Sequence, residues 1–76
     1  MSLDEAARQL KMAVHDAQVS FDLIGLGDLD RALENAVTAR AAIDATITAL
    51  DRAVTDMSTE EARLEGERAV MAVSED

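Results

Sequence analysis

The chain has 76 residues and a net charge of −9, with 16 acidic residues against 7 basic ones and one aromatic residue, Phe21. It has no cysteine, which excludes disulfides, cysteine-ligated zinc, iron–sulfur clusters and thiol catalysis. The acidity and the lack of tyrosine and tryptophan argue against direct DNA or RNA binding, and no apolar run approaches the roughly 20 residues that span a bilayer. We therefore expect one small cytoplasmic domain, residues 1–76, with no membrane association.

The first predicted helix covers about residues 2–24. Ser2 can cap its start, and Glu5 can complete a capping box. Apolar residues then recur in alternating steps of four and three, as on one face of a helix. We call this row stripe 1, and it consists of Leu3, Ala7, Leu10, Val14, Ala17, Phe21 and Ile24. Gly25 can adopt the left-handed conformation that closes a helix, so we expect the helix to end there.

The second predicted helix covers about residues 28–57 and begins after Asp28, a favourable N-cap residue. Its apolar residues follow the same alternation of four and three. We call this row stripe 2, and it consists of Leu29, Leu33, Ala36, Arg40, Ile43, Ile47, Leu50, Val54 and Met57. Because the link between the helices is short, we predict an antiparallel hairpin of two long helices in which stripe 1 packs on stripe 2.

A shorter third helix is predicted over about residues 59–73. Ser58 and Glu61 form a capping box, which favours a break after the second helix. The alternative is that the second helix continues, since Leu64 and Met71 keep the apolar spacing. That alternative would place three charged residues in the seam: Glu61, Arg68 and Glu75. We therefore predict an all-α fold, a small helical bundle.

The predicted hairpin carries more apolar residues than one seam would bury. The first helix has a second line of residues spaced by seven, which are Met12, Val19 and Leu26. The second helix has a ridge of small residues, which are Ala39, Ala42, Thr46, Ala49 and Ala53. We predict an oligomer or a protein partner that covers these surfaces, unless they are scattered exposed residues. The candidate interface residues are Met12, Val19, Leu23, Leu26, Ala42 and Ala49.

Arg40 stands in stripe 2 where an apolar residue is expected. In the predicted register it lies opposite Val14 and near Asp16. Because a buried unpaired charge is costly, we predict that Arg40 either reaches solvent or pairs with Asp16 and sets the register. The alternative is that Arg40 anchors an acidic group of a partner.

One short segment resembles a known family. Gly27-Asp28-Leu29, followed by Ala32-Leu33-Glu34, is similar to the loop-to-helix step in the small helical subunits of exodeoxyribonuclease VII. The resemblance covers eight residues, and the first helix is longer here than in that family. It implies, as an alternative function, a small helical subunit of an enzyme complex.

No catalytic, cofactor-binding or metal-ligating residues are predicted. Nothing in the sequence places two carboxylates across a pocket, and the glycines are too few for a phosphate-binding loop. We expect a non-catalytic interaction module, an accessory or adaptor subunit, that binds a protein or itself through helical surfaces. The alternative is an acidic inhibitor that mimics nucleic acid through its densest acidic run, Glu60, Glu61, Glu65 and Glu67.

Overall fold

The computed structural model describes residues 3–74, which form three α-helices and their two connections. The helices are α1 (Leu3–Gly25), α2 (Leu29–Asp56) and α3 (Thr59–Ser74). No strand occurs within residues 3–74, so the predicted all-α class with three helices is confirmed for this part of the chain. Ser2, the predicted cap of the first helix, lies outside the described residues.

The connection between α1 and α2 is a Schellman turn centred on Gly27. The amide of Gly27 donates to the carbonyl oxygen of Ile24 at 3.0 Å, and the amide of Asp28 donates to that of Leu23 at 3.0 Å. Gly27 has a φ of 75°, whereas Gly25 is the last helical residue of α1. The prediction that Gly25 takes the left-handed conformation is therefore wrong by two residues. Asp28 follows directly and caps α2 by accepting a hydrogen bond from the amide of Arg31.

Helices α1 and α2 pack through small side chains, not through the two stripes. The buried residues of α1 are Ala6, Ala13, Ser20 and Leu23. Those of α2 are Ala32, Ala39, Ala42, Thr46 and Ala53. The prediction that stripe 1 packs on stripe 2 is wrong, because no residue of either stripe is buried. Small side chains allow two helix axes to approach at the short end of the usual 8–10 Å range.

The break between α2 and α3 lies at Met57 and Ser58. Ser58 and Glu61 form a complete capping box: the amide of Ser58 donates to the Glu61 carboxylate at 2.9 Å, and the amide of Glu61 donates to the Ser58 hydroxyl at 3.1 Å. The alternative of one continuous second helix is therefore wrong. The capping box starts a separate helix that turns back toward α1.

Helix α3 lies against α1 and buries little large side-chain surface. Its single buried residue is Ala69, which is 1% exposed. Gly66 faces Leu3 of α1, where an added Cβ would lie 3.7 Å from the leucine side chain. Near the other end of α3, the Lys11 ammonium donates to the carbonyl oxygen of Val73. The contact between α1 and α3 thus consists of small residues and one cationic cap at the helix end.

Candidate functional site

The candidate site is an exposed apolar face formed by stripes 1 and 2. Phe21 is 71% exposed and Leu33 is 65% exposed, although both are residue types that usually lie in a core. The other large members of the stripes that are exposed are Leu10, Val14, Ile24, Leu29, Ile43, Ile47, Leu50 and Val54. Leu23 is the only large apolar side chain among the buried residues of residues 3–74.

Each stripe lies one residue along its helix from the buried contact residues. Each buried residue of α1 and α2 is followed in sequence by a stripe residue, as Ala13 is followed by Val14 and Ala42 by Ile43. One residue along a helix is a rotation of about 100°, so each stripe is turned in the same sense away from the contact between the helices. Where two such helices run in opposite directions, rotations in the same sense bring both rows to one side.

A groove confirms that the two stripes approach each other. It has a volume of about 190 Å³ and is lined by Leu3 and Leu10 of stripe 1, by Leu50 of stripe 2, and by Gly66 and Val70 of α3. Helix α3 therefore covers one end of the face, where Leu3 and Ala7 are half-buried. The rest of the face, toward the turn at Gly27, lies outside this groove.

The apolar face is free of carboxylates. The chain has 16 acidic residues, yet none of them occupies a stripe position, and Arg40 is the only charged residue in either stripe. Arg40 is exposed and so reaches solvent, the first of its two predicted outcomes, but it lies outside the buried contact between α1 and α2. Within residues 3–74 it forms no ion pair, and Asp16 instead contacts His15, with 3.2 Å between Oδ1 and Nδ1. The predicted Arg40–Asp16 pair is therefore absent from the described part of the chain.

The predicted interface residues do not form one surface. Leu23 and Ala42 are buried between the helices, and Ala49 is half-buried. The two buried residues belong to the interior, so their assignment to an external interface is wrong. Met12 and Leu26 are 51% and 80% exposed, and Val19 is half-buried. Met12 shares a shallow groove with Asp16 and Val73, away from the groove that the two stripes share.

The ionisable side chains form local pairs along the helices. Glu60 pairs with Arg63 at 2.9 Å, and Glu65 pairs with Arg68 at 3.4 Å. Hydrogen bonding from Gln9, and then the pairing with Arg8, lowers the pKa of Glu5 below its ordinary value of 4.5. Among residues 3–74, no three His, Asp or Glu side chains are placed to hold a metal ion. None of the helices in that range combines the length and apolarity needed to cross a bilayer.

Comparisons with known protein families, with curated proteins and with solved structures find no match to this chain. The eight-residue resemblance at Gly27–Glu34 is thus not accompanied by a family match.

Proposed function

We propose that this chain is a non-catalytic protein–protein interaction module, a small accessory or adaptor subunit of the cytoplasm, that binds through the apolar face. The observation that carries the proposal is that small side chains are buried while large apolar side chains are exposed. Alanines occupy the contact between α1 and α2, while ten large apolar side chains of the two stripes are exposed. Soluble monomers rarely expose one apolar patch larger than a few hundred Å² unless it binds something.

The proposal treats α1 and α2 as an antiparallel hairpin that supports the face. Two contacts favour this arrangement. Near the turn, the Ser20 hydroxyl donates to the carbonyl oxygen of Ala32 at 2.7 Å. At the far end, Ala6 and Thr46 line the same groove. The residue numbers rise along α1 while they fall along α2, as in a hairpin.

The energetics favour a partner as well. Burying a side chain such as Leu, Ile or Phe contributes about 1.5–3 kcal/mol, and a chain below about 80 residues has little stability to spare. Here that contribution is left unused at Phe21, Leu33 and their neighbours, because the contact between α1 and α2 buries mainly alanine. A partner that covers the face would supply the missing apolar burial.

The acidic side chains give less support to the alternative of a nucleic-acid mimic. Glu60 and Glu65 each pair with an arginine of the same helix, which reduces the local negative potential of α3. The alternative of an enzyme subunit remains compatible with the same face, because such a subunit would also bind its catalytic partner through an apolar surface. Neither alternative has an observation of its own in its favour.

Site-specific photo-crosslinking tests the proposal in cells. A photoreactive phenylalanine analogue is placed at Leu33 on the face, and in a matched variant at Thr38, which is exposed and lies about 140° around α2 from Leu33. We expect a discrete crosslinked protein product from position 33 and none from position 38. Equal labelling from both positions, or no product from position 33, would overturn the proposal.

A further inference from the structure

We infer that the apolar face is covered by a second copy of this chain, so that the α1–α2 pairs of two copies form a four-helix core. The inference rests on the proposed function and names its partner. Three observations support it: the size of the face, the absence of carboxylates from it, and the positions of Arg40 and Asp44.

The size of the face matches what a stable dimer buries. Helix α2 has 28 residues and is about 42 Å long, and two adjacent helices present a width of nearly 20 Å. Helix α1 has 23 residues and runs beside α2 over roughly 35 Å, so the face has an area of about 700 Å². This is near the roughly 800 Å² that each partner buries in a standard interface.

The charge distribution allows two strongly acidic chains to meet at this face. Two copies with a net charge of −9 each repel one another wherever their carboxylates come close. The stripes contain no Asp or Glu, so contact through them keeps the carboxylates of both copies at the rim or on the far sides. The remaining repulsion acts through solvent, where salt screens it.

Arg40 in stripe 2 and Asp44, which lies beside stripe 2 at the rim of the face, form a self-complementary charge pattern. The midpoint of stripe 2 lies between these two residues, which are both exposed. A two-fold axis at this level, perpendicular to the helices, places α2 of one copy antiparallel to α2 of the other. It brings Arg40 of each copy opposite Asp44 of the other, so two ion pairs form from one symmetry element. A different protein would have to supply its own carboxylate opposite Arg40.

The level of this axis on α1 follows from the Ser20–Ala32 contact. Ala13 and Ala39 each lie seven residues from that contact, in opposite directions along the two helices, and therefore share a level. The axis between Arg40 and Asp44 is then level with Leu10 of α1, at the end of the face where α3 also lies. The core between the two copies is therefore formed mainly by stripe 2.

Sedimentation equilibrium of the purified full chain tests the inference, with two matched charge insertions. Ile43→Glu places a carboxylate on the face, and Ala41→Glu places one two residues away on the opposite side of the same helix. We expect a dimer of about 16 kDa for the wild type and for Ala41→Glu. For Ile43→Glu we expect the dissociation constant to rise roughly 100-fold, with helix content retained by circular dichroism.

A charge exchange keeps the inference testable if Ile43→Glu does not fold. Arg40→Glu and Asp44→Arg should each weaken the dimer, and the double variant should restore it. Raising the salt concentration should strengthen the wild-type dimer, because it screens the repulsion between two acidic chains. Failure of the double variant to recover dimerisation would overturn the two-fold arrangement.

The outcomes separate this inference from the proposed function. A wild-type monomer of about 8 kDa at high micromolar concentration, together with a crosslink from position 33 to a different protein, would overturn the second-copy inference and leave the proposed function standing. A monomer with no crosslink would overturn both. A crosslinked product of the purified chain at about twice its mass would support both.

Discussion

The Ser20 hydroxyl of α1 donates a hydrogen bond of 2.7 Å to the carbonyl oxygen of Ala32 in α2, and both residues are buried. A side chain as short as serine can reach the backbone of the neighbouring helix only where the two helices are close together. The bond therefore marks a place of close contact between α1 and α2 near the turn at Gly27.

We expect Ser20→Ala to lower the free energy of unfolding by about 0.5–1.5 kcal/mol, because it removes this bond and leaves the packing almost unchanged. Urea denaturation followed by circular dichroism measures the difference. Gln18→Ala removes an exposed side-chain hydrogen bond to Asp22 and should stay within about 0.5 kcal/mol of wild type. Equal effects of the two substitutions would contradict a structural role for the Ser20–Ala32 bond.

Adjacent residues of α1 test which row faces α2. Ala13 is 2% exposed and Val14 is 63% exposed. We expect Ala13→Leu to lower the free energy of unfolding by about 1–3 kcal/mol, because a larger side chain forces the helices apart. Val14→Leu is a conservative exchange on the exposed stripe and should change it by less than about 0.5 kcal/mol. If Val14→Leu lowered the free energy of unfolding more than Ala13→Leu, stripe 1 would be the row that contacts α2.

This contact row is the part of the fold that the sequence pattern does not determine. The spacing of four and three predicts the helices, and it occurs twice on α2, once in stripe 2 and once one residue earlier in the small residues. Hydrophobicity favours Ile43 over Ala42 as the core residue, yet Ala42 is buried and Ile43 is exposed. Rows one residue apart have the same period, so periodicity cannot choose between them.

The small residues themselves indicate which row of α1 and which row of α2 form the contact. Ala32, Ala39, Thr46 and Ala53 recur every seven residues, and so do Ala6, Ala13 and Ser20 on α1. Small residues at matched spacing on two linked helices indicate close helix packing, and the large residues beside them then have no partner within the pair. The caps at Asp28 and Ser58 could be predicted because they depend on residues that are neighbours in sequence.

Alanine substitutions of the two glycines at the end of α1 should change the free energy of unfolding in opposite directions. Gly27 has a φ of 75°, so Gly27→Ala should lower the free energy of unfolding by about 1–2 kcal/mol. Gly25 is helical with nothing within 4 Å of an added Cβ, so Gly25→Ala should raise it by about 0.5–1 kcal/mol. Thermal or urea unfolding of both variants checks the signs. A destabilised Gly25→Ala would assign the left-handed conformation to Gly25, as the sequence pattern suggests.

The pairing of Glu5 with Gln9 and Arg8 predicts a pH effect at the start of α1. These contacts lower the pKa of Glu5 from 4.5 in the folded chain, so the stabilisation from its carboxylate is present above pH 4.5 and is lost as the pH falls through the lowered pKa. Carbon-detected NMR titration of the Glu5 carboxyl group should locate its midpoint below that of the unfolded chain. Gln9→Leu and Arg8→Gln should each raise the midpoint, because the hydrogen bond from Gln9 and the hydrogen bond and positive charge of Arg8 all lower this pKa. An unchanged midpoint in both variants would contradict a role for these contacts.

The last prediction concerns how α3 is held on α1. The Lys11 ammonium donates to the carbonyl oxygen of Val73, in the last turn of α3, where the backbone carbonyls lack helical partners. Lys11→Met keeps the aliphatic stem and removes the donor, so we expect amide hydrogen exchange in residues 70–74 to accelerate roughly fivefold, equivalent to about 1 kcal/mol. Arg8→Met removes a nearby cation that pairs with Glu5 on its own helix, and it should leave exchange in α3 unchanged. Unchanged exchange in Lys11→Met would mean that the packing around Ala69 alone holds α3 in place.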